Sequence, residues 1–276
     1  MELPKGGLIG KTMTVVRRVQ KMNIPIHAAD AGYFIVLAVF PALVLILSVL
    51  RYTQLDAQDL MDLVSGYIPA ALESSVEKLV VQTYAYSGPG MVSVSAVTAL
   101  WSAGQGIVGI LRGLNTIYDV EEHRGWLYTR CVSMVYMVLF LMVLILSLVL
   151  NVFGEHLLEL FPVQNGLWNF LSGIVDFHFL LMLVVQTAMF AAMYMFLPGK
   201  RHTFRESLPG AVLASLGWQV FSDLFSIYVD NWSGYSNIYG SVYAMALSML
   251  WLYCCLSILF YGGALNKLLM EAKGEH

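Results

Sequence analysis

Residues 131–153 read CVSMVYMVLFLMVLILSLVLNVF, an uncharged run from Cys131 to Phe153. A helix needs about 20 predominantly apolar residues to cross the hydrocarbon core of a bilayer, and this run suffices. Its flanks decide its direction. Arg112, Arg124 and Arg130 precede it, whereas Gly154–Phe170, which follows, contains no Lys or Arg. Cytoplasmic connections carry the excess of positive charge, so the run is expected to enter from the cytoplasm and leave on the outer side.

The same reading extends along the chain. Further apolar runs cover Ala31–Leu50, Pro89–Leu111, about Leu171–Leu197, about Leu208–Val229 and about Val242–Leu265. Lys5, Lys11, Arg17, Arg18 and Lys21 precede the first run; Lys200, Arg201 and Arg205 follow the fourth; Lys267 and Lys273 follow the last. Only Arg51 and Lys78 fall on the other side, so 13 of the 15 positive residues share one face. The expectation is an all-α polytopic membrane protein with six transmembrane helices and both termini cytoplasmic. Composition agrees: 58% of the 276 residues are hydrophobic and 12% charged, against about 25% charged in soluble domains. Mean hydropathy is +0.71.

Three regions follow: a basic arm over 1–28, a six-helix domain over 29–268 and a tail over 269–276. Leu8 to Ile26 mixes apolar and basic residues, which predicts an amphipathic helix on the inner surface, with a disordered basic arm as the alternative. Between the first two spans, 54–86 carries apolar residues at helical spacing on either side of Pro69. That pattern predicts two short outer helices. Their acidic residues, Asp56, Asp59, Asp62, Glu73 and Glu77, offer an outer face for a protein partner.

Ser95, Ala99, Ser102, Gly106, Gly109 and Gly113 recur at intervals of four and three along the second span. Small residues on one face let helix backbones approach closely, so the stripe reads as a packing seam in preference to a pore lining. Pro41 inside the first span removes a backbone hydrogen bond and marks a kink or a hinge. Asp223 stands within the fifth span, where an insertion cost of about 2.5 to 3.5 kcal/mol calls for a reason. It is either a hydrogen-bonded tie between helices or part of a polar cavity with Gln186 or His178; Asp30, Gln105 and Gln219 are further candidates. Tyr228, Trp232, Tyr235 and Tyr239 form an outer aromatic connection at headgroup level. Cys254 and Cys255, adjacent in an apolar run, read as small packing residues.

No metalloprotease, nucleophile-elbow, P-loop or dinucleotide pattern occurs, and the six His residues are scattered. No catalytic residue, metal or cofactor is expected. The net charge of −3 gives nucleic acid no electrostatic footing.

Ala28 to Phe34 followed by Phe40-Pro41, Leu114 to Tyr118 followed by Val120-Glu121-Glu122 and Arg124, Leu208 to Ala211, and Tyr235 to Ser241 leading into Leu250 to Tyr253 form an ordered set. In order and spacing, over about residues 10–268, the set resembles the YihY/BrkB family of integral membrane proteins. The resemblance implies a six-span bacterial inner-membrane protein and no mechanism. Some members have carried the label ribonuclease BN, which a chain without a metal cluster or a basic phosphate path does not support. The favoured expectation is a translocator of a lipid, a lipid-linked molecule or a small solute in the envelope, with membrane lipids as partners. A non-catalytic envelope assembly or anchoring protein is the alternative, and a membrane-embedded hydrolase comes last.

Overall fold

Asn23 makes the first corner of the chain. It adopts φ of 49°, a left-handed conformation that a short polar side chain tolerates. The computed structural model, which describes residues 8–50, 77–78, 80–81, 89–136, 177–231 and 236–274, places helix α1 (Leu8–Lys21) before this corner and α2 (Ile24–Leu50) after it. Pro25 sits in the first turn of α2, where its missing N–H has no helical acceptor to lose. The helix then runs on through Pro41.

Helix α3 (Pro89–Tyr118) ends in a second left-handed residue, Asp119, with φ of 53°. The Val120 amide donates to the Asn115 carbonyl at 2.9 Å and the Asp119 amide to that of Thr116 at 3.4 Å. This pair of bonds is the Schellman termination, with Asp where Gly is commonest. The chain then doubles back through 119–125 into α4 (126–136). Helix α5 (Phe177–Phe196) is followed by α6 (Phe204–Asn231) and α7 (Ser236–Lys273). Thr203 and Glu206 open α6 with one half of a capping box, the Thr203 amide donating to the Glu206 carboxylate at 2.8 Å, and the Ser207 amide starts the helical ladder at the Thr203 carbonyl at 3.1 Å.

Among the described residues the regular structure is all helical. Phe204–Val229 and Met245–Lys273 are long and apolar enough to cross a membrane, and Met182–Phe196 is a shorter apolar helix. Of the outer segment 54–86, residues 54–76, 79 and 82–86 lie outside the described residues, as do 137–176, which include most of the third apolar run.

The most extensive helix contact joins α2 and α3. Gly106, Gly109 and Gly113 of α3 face Ile35, Ala31 and His27 of α2, and a Cβ on Gly109 would lie 2.9 Å from the Ala31 Cα. Helices α6 and α7 meet at Gly210 and Gly262, where a Cβ on Gly262 would lie 2.6 Å from the Gly210 carbonyl. In lipid, which exerts no hydrophobic force between helices, such close approach gives dispersion its grip. Leu111, Leu114, Ile117, Phe190, Tyr194, Leu259 and Phe260 fill the space between the crossings.

Candidate functional site

Four segments converge at one end of the bundle: α1, the 119–125 connection, the turn at 197–203 and the end of α7. Arg18 pairs with Glu271, and the Lys267 ammonium lies 3.4 Å from the Asp119 carboxylate while donating to the Tyr118 carbonyl at 3.3 Å. Glu122 organises the connection. Its carboxylate accepts from the Arg124 guanidinium at 2.7 and 2.8 Å and from the Asn115 amide at 2.9 Å. The Arg124 guanidinium, beside it, lowers the Glu122 pKa to about 2. Arg124 also donates to the Leu197 carbonyl at 2.8 Å, and the Asn115 side-chain oxygen accepts from the Gly199 amide at 2.8 Å. Buried Asn266 closes the other side, accepting from the Gly210 amide at 2.7 Å and donating to the Ser207 carbonyl at 3.1 Å. His202 stacks on Tyr118 with ring centroids 4.4 Å apart, and burial lowers its pKa.

A groove of about 750 Å³ opens beside this network, between the second half of α3, the 119–125 connection and the start of α4. Its outer part is lined by Arg112, Asn115, Glu122 and Arg124, its inner part by Gln105, Trp126, Thr129 and Arg130. Arg130 is the unusual member. It is only 4% exposed, donates to the Trp101 backbone carbonyl and stacks over the Trp101 ring at 4.1 Å. Trp101 lies 17 residues before the end of α3, about 25 Å along a helix axis. The guanidinium therefore sits against the middle of a long helix. The Nε atom of Arg130 and the hydroxyl of Thr129 are buried and have no hydrogen-bond partner. Exposed Trp126, Leu127 and Tyr128 begin α4, and Trp126 packs on Trp101 at 6.1 Å. The structure thus joins a charged wall to an apolar, open flank.

The residues singled out in the sequence distribute unevenly. Gln105 lines the groove. The Gln219 amide donates to the Gln186 carbonyl at 3.4 Å, between α6 and α5. Asp223 is exposed and Asp30 half-buried, so the described helices bring neither into a cluster with Gln186. Ser102 and Pro41 are half-buried and Tyr228 is exposed. The side chains of Ser95, Ala99, His178 and Tyr239, and residues Trp232 and Tyr235, lie outside the described residues. Sequence reading missed Arg130, Thr129, Trp101 and Trp126. The available signal is an arginine abutting an apolar run, which the charge bias absorbs as one more orienting residue.

The fold and this site define a helical membrane protein with a charged groove let into the flank of its helices. The chain belongs to the virulence factor BrkB family, whose profile matches residues 15–276. It is 34% identical over 247 residues to YfkH of Bacillus subtilis, whose name calls it ribonuclease-like, with 89% of this chain and 90% of that one covered. It is 23% identical to a UPF0761 membrane protein of Alteromonas mediterranea, covering 95% of this chain and 89% of the relative. A UPF0761 membrane protein of Vibrio parahaemolyticus is 24% identical, with 93% and 81% covered. No solved structure matches the chain.

Proposed function

We propose that the protein is a translocator of an amphiphile, a lipid or lipid-linked molecule, in the bacterial inner membrane. On this reading it crosses six times, both termini are cytoplasmic and α1 lies along the inner surface. One observation carries the reading: a charged groove of about 750 Å³ with Arg130 buried against the middle of α3. An ionisable group at that depth is costly and marks a pathway by default. A polar headgroup would follow the groove wall while its tails stay beside exposed Trp126, Leu127 and Tyr128.

The reading involves no bond cleavage, and the ribonuclease-like name of one relative is not carried over. Of the three arginines lining the groove, Arg124 is held by Glu122. Arg112 and Arg130 alone face it without a carboxylate partner among the described residues, short of the extended basic path that a polyanion needs. The test is reconstitution in liposomes containing a fluorescent phospholipid, with dithionite bleaching of the outer leaflet. The purified protein is expected to expose the inner-leaflet probe to bleaching faster than empty liposomes do. Bleaching that stops at the outer half in both samples contradicts it.

A further inference from the structure

We infer that the inner end of the groove binds a phosphate group, with the Nε–H of Arg130 and the hydroxyl of Thr129 as donors. Three observations converge. Arg130 lines the groove, is 4% exposed and leaves Nε without a partner. Thr129, its neighbour in the chain, leaves its own buried hydroxyl unpartnered beside the same groove. Thr129 and Arg130 are the fourth and fifth residues of α4, close to the helix start, whose dipole favours an anion.

Charge selects the ligand. Among the described residues no carboxylate pairs with Arg130. Glu122 is committed to Arg124 and Asn115, and Asp119 to Lys267. Exposed Glu121, at the rim, lies 4.0 Å from His123. The inner end therefore keeps one uncompensated positive charge. Its planar guanidinium is already oriented by the Trp101 carbonyl and ring. A guanidinium fixed in this way, with a hydroxyl beside it, matches the tetrahedral oxygens of phosphate. The Trp101–Trp126 pair alongside offers an apolar surface for chains attached to that phosphate.

The inference deepens the translocator reading by naming the headgroup, and binding itself requires no transport. The experiment is a titration of the full-length protein in a neutral maltoside detergent with three soluble probes. Dihexanoyl phosphatidic acid carries phosphate and tails, dihexanoylglycerol has the tails alone, and inorganic phosphate has the headgroup alone. Phosphatidic acid should bind about tenfold or more tighter than dihexanoylglycerol, the discrimination expected of hydrogen bonds to a charged group. Arg130→Gln should remove that preference and Arg130→Lys should keep only part of it. Thr129→Val, which leaves the Trp101 contact intact, should weaken phosphatidic acid and leave dihexanoylglycerol unchanged. Inorganic phosphate binding as tightly as phosphatidic acid supports the site and assigns it to a free anion; weaker binding supports a lipid headgroup. Equal affinity for phosphatidic acid and dihexanoylglycerol overturns the proposal, as does full phosphatidic acid binding by a folded Thr129→Val or Arg130→Gln chain. Selective binding without bleaching in the liposome assay would sink translocation and leave the phosphate site standing. The reverse result would sink the site alone.

Discussion

Glu122 gathers four hydrogen bonds on one carboxylate, three from Arg124 and one from Asn115. Its pKa falls from 4.5 to about 2 on folding, chiefly through the Arg124 side chain. A carboxyl whose folded value is depressed contributes stability that is present above the unfolded value and is lost as pH falls from 4.5 toward 2. Glu122→Gln should cost about 1 kcal/mol, since the group is partly exposed and water screens the pair; thermal melting in detergent at neutral pH reads it. His202 acts at milder pH. Burial lowers its pKa below 6.5, so just under 6.5 the unfolded chain binds more protons and stability drops as pH falls. Melting temperatures between about pH 8 and pH 5 should decline on acidification in the native chain and less steeply in His202→Asn. Asp223, exposed on α6, has no part in the groove, and Asp223→Asn should leave lipid flux unchanged. A large loss of flux would put the pathway elsewhere.

Glycines set the helix crossings. A methyl group on Gly210 would meet the Gly262 carbonyl of α7, backbone that cannot swing aside. Gly210→Ala should therefore cost about 1 to 3 kcal/mol, whereas Gly90→Ala, with nothing within 4 Å, should be neutral or gain up to about 1 kcal/mol in helix propensity. Thermal melting of the two variants side by side tests the contrast, and equal behaviour would contradict the packing. Much at this scale was legible because it is local. The alternation of basic and apolar residues over Leu8–Ile26 marks a helix, and α1 occupies Leu8–Lys21 of it; the missing residues belong to the corner at Asn23 and the start of α2. The regular spacing of Gly106, Gly109 and Gly113 puts them on one face, and the structure sets that face against α2. What stayed hidden is relational. Arg130 reads as a connection residue until the path of 119–125 brings α4 back alongside Trp101. Gln219 meets Gln186 while Asp223, one turn further along nearly the same face of α6, is exposed, and no periodicity in α6 alone reveals where along the helix its neighbours reach.

At the scale of the molecule, the positive charges do two jobs. Arg18, Arg124 and Lys267 tie α1, the 119–125 connection, α5 and α7 into one braced end through carboxylates and carbonyls. Arg130 stands apart, without a carboxylate partner among the described residues, at the inner end of the groove. A braced end beside an open charged groove gives a translocator a fixed frame and a path along it. Residues that carry the family resemblance, Asn115, Glu122 and Arg124, build the wall between the two. The most direct test blocks the path without substituting the brace or Arg130. Gln105 is half-buried in the groove wall, and Gln105→Trp would fill part of its volume. In liposomes bearing equal amounts of folded protein, the native chain should speed exchange of a fluorescent acidic phospholipid between leaflets, and Gln105→Trp should fall back toward the rate of empty liposomes. A blocked variant that moves the lipid as fast as the native chain would contradict the groove as the route.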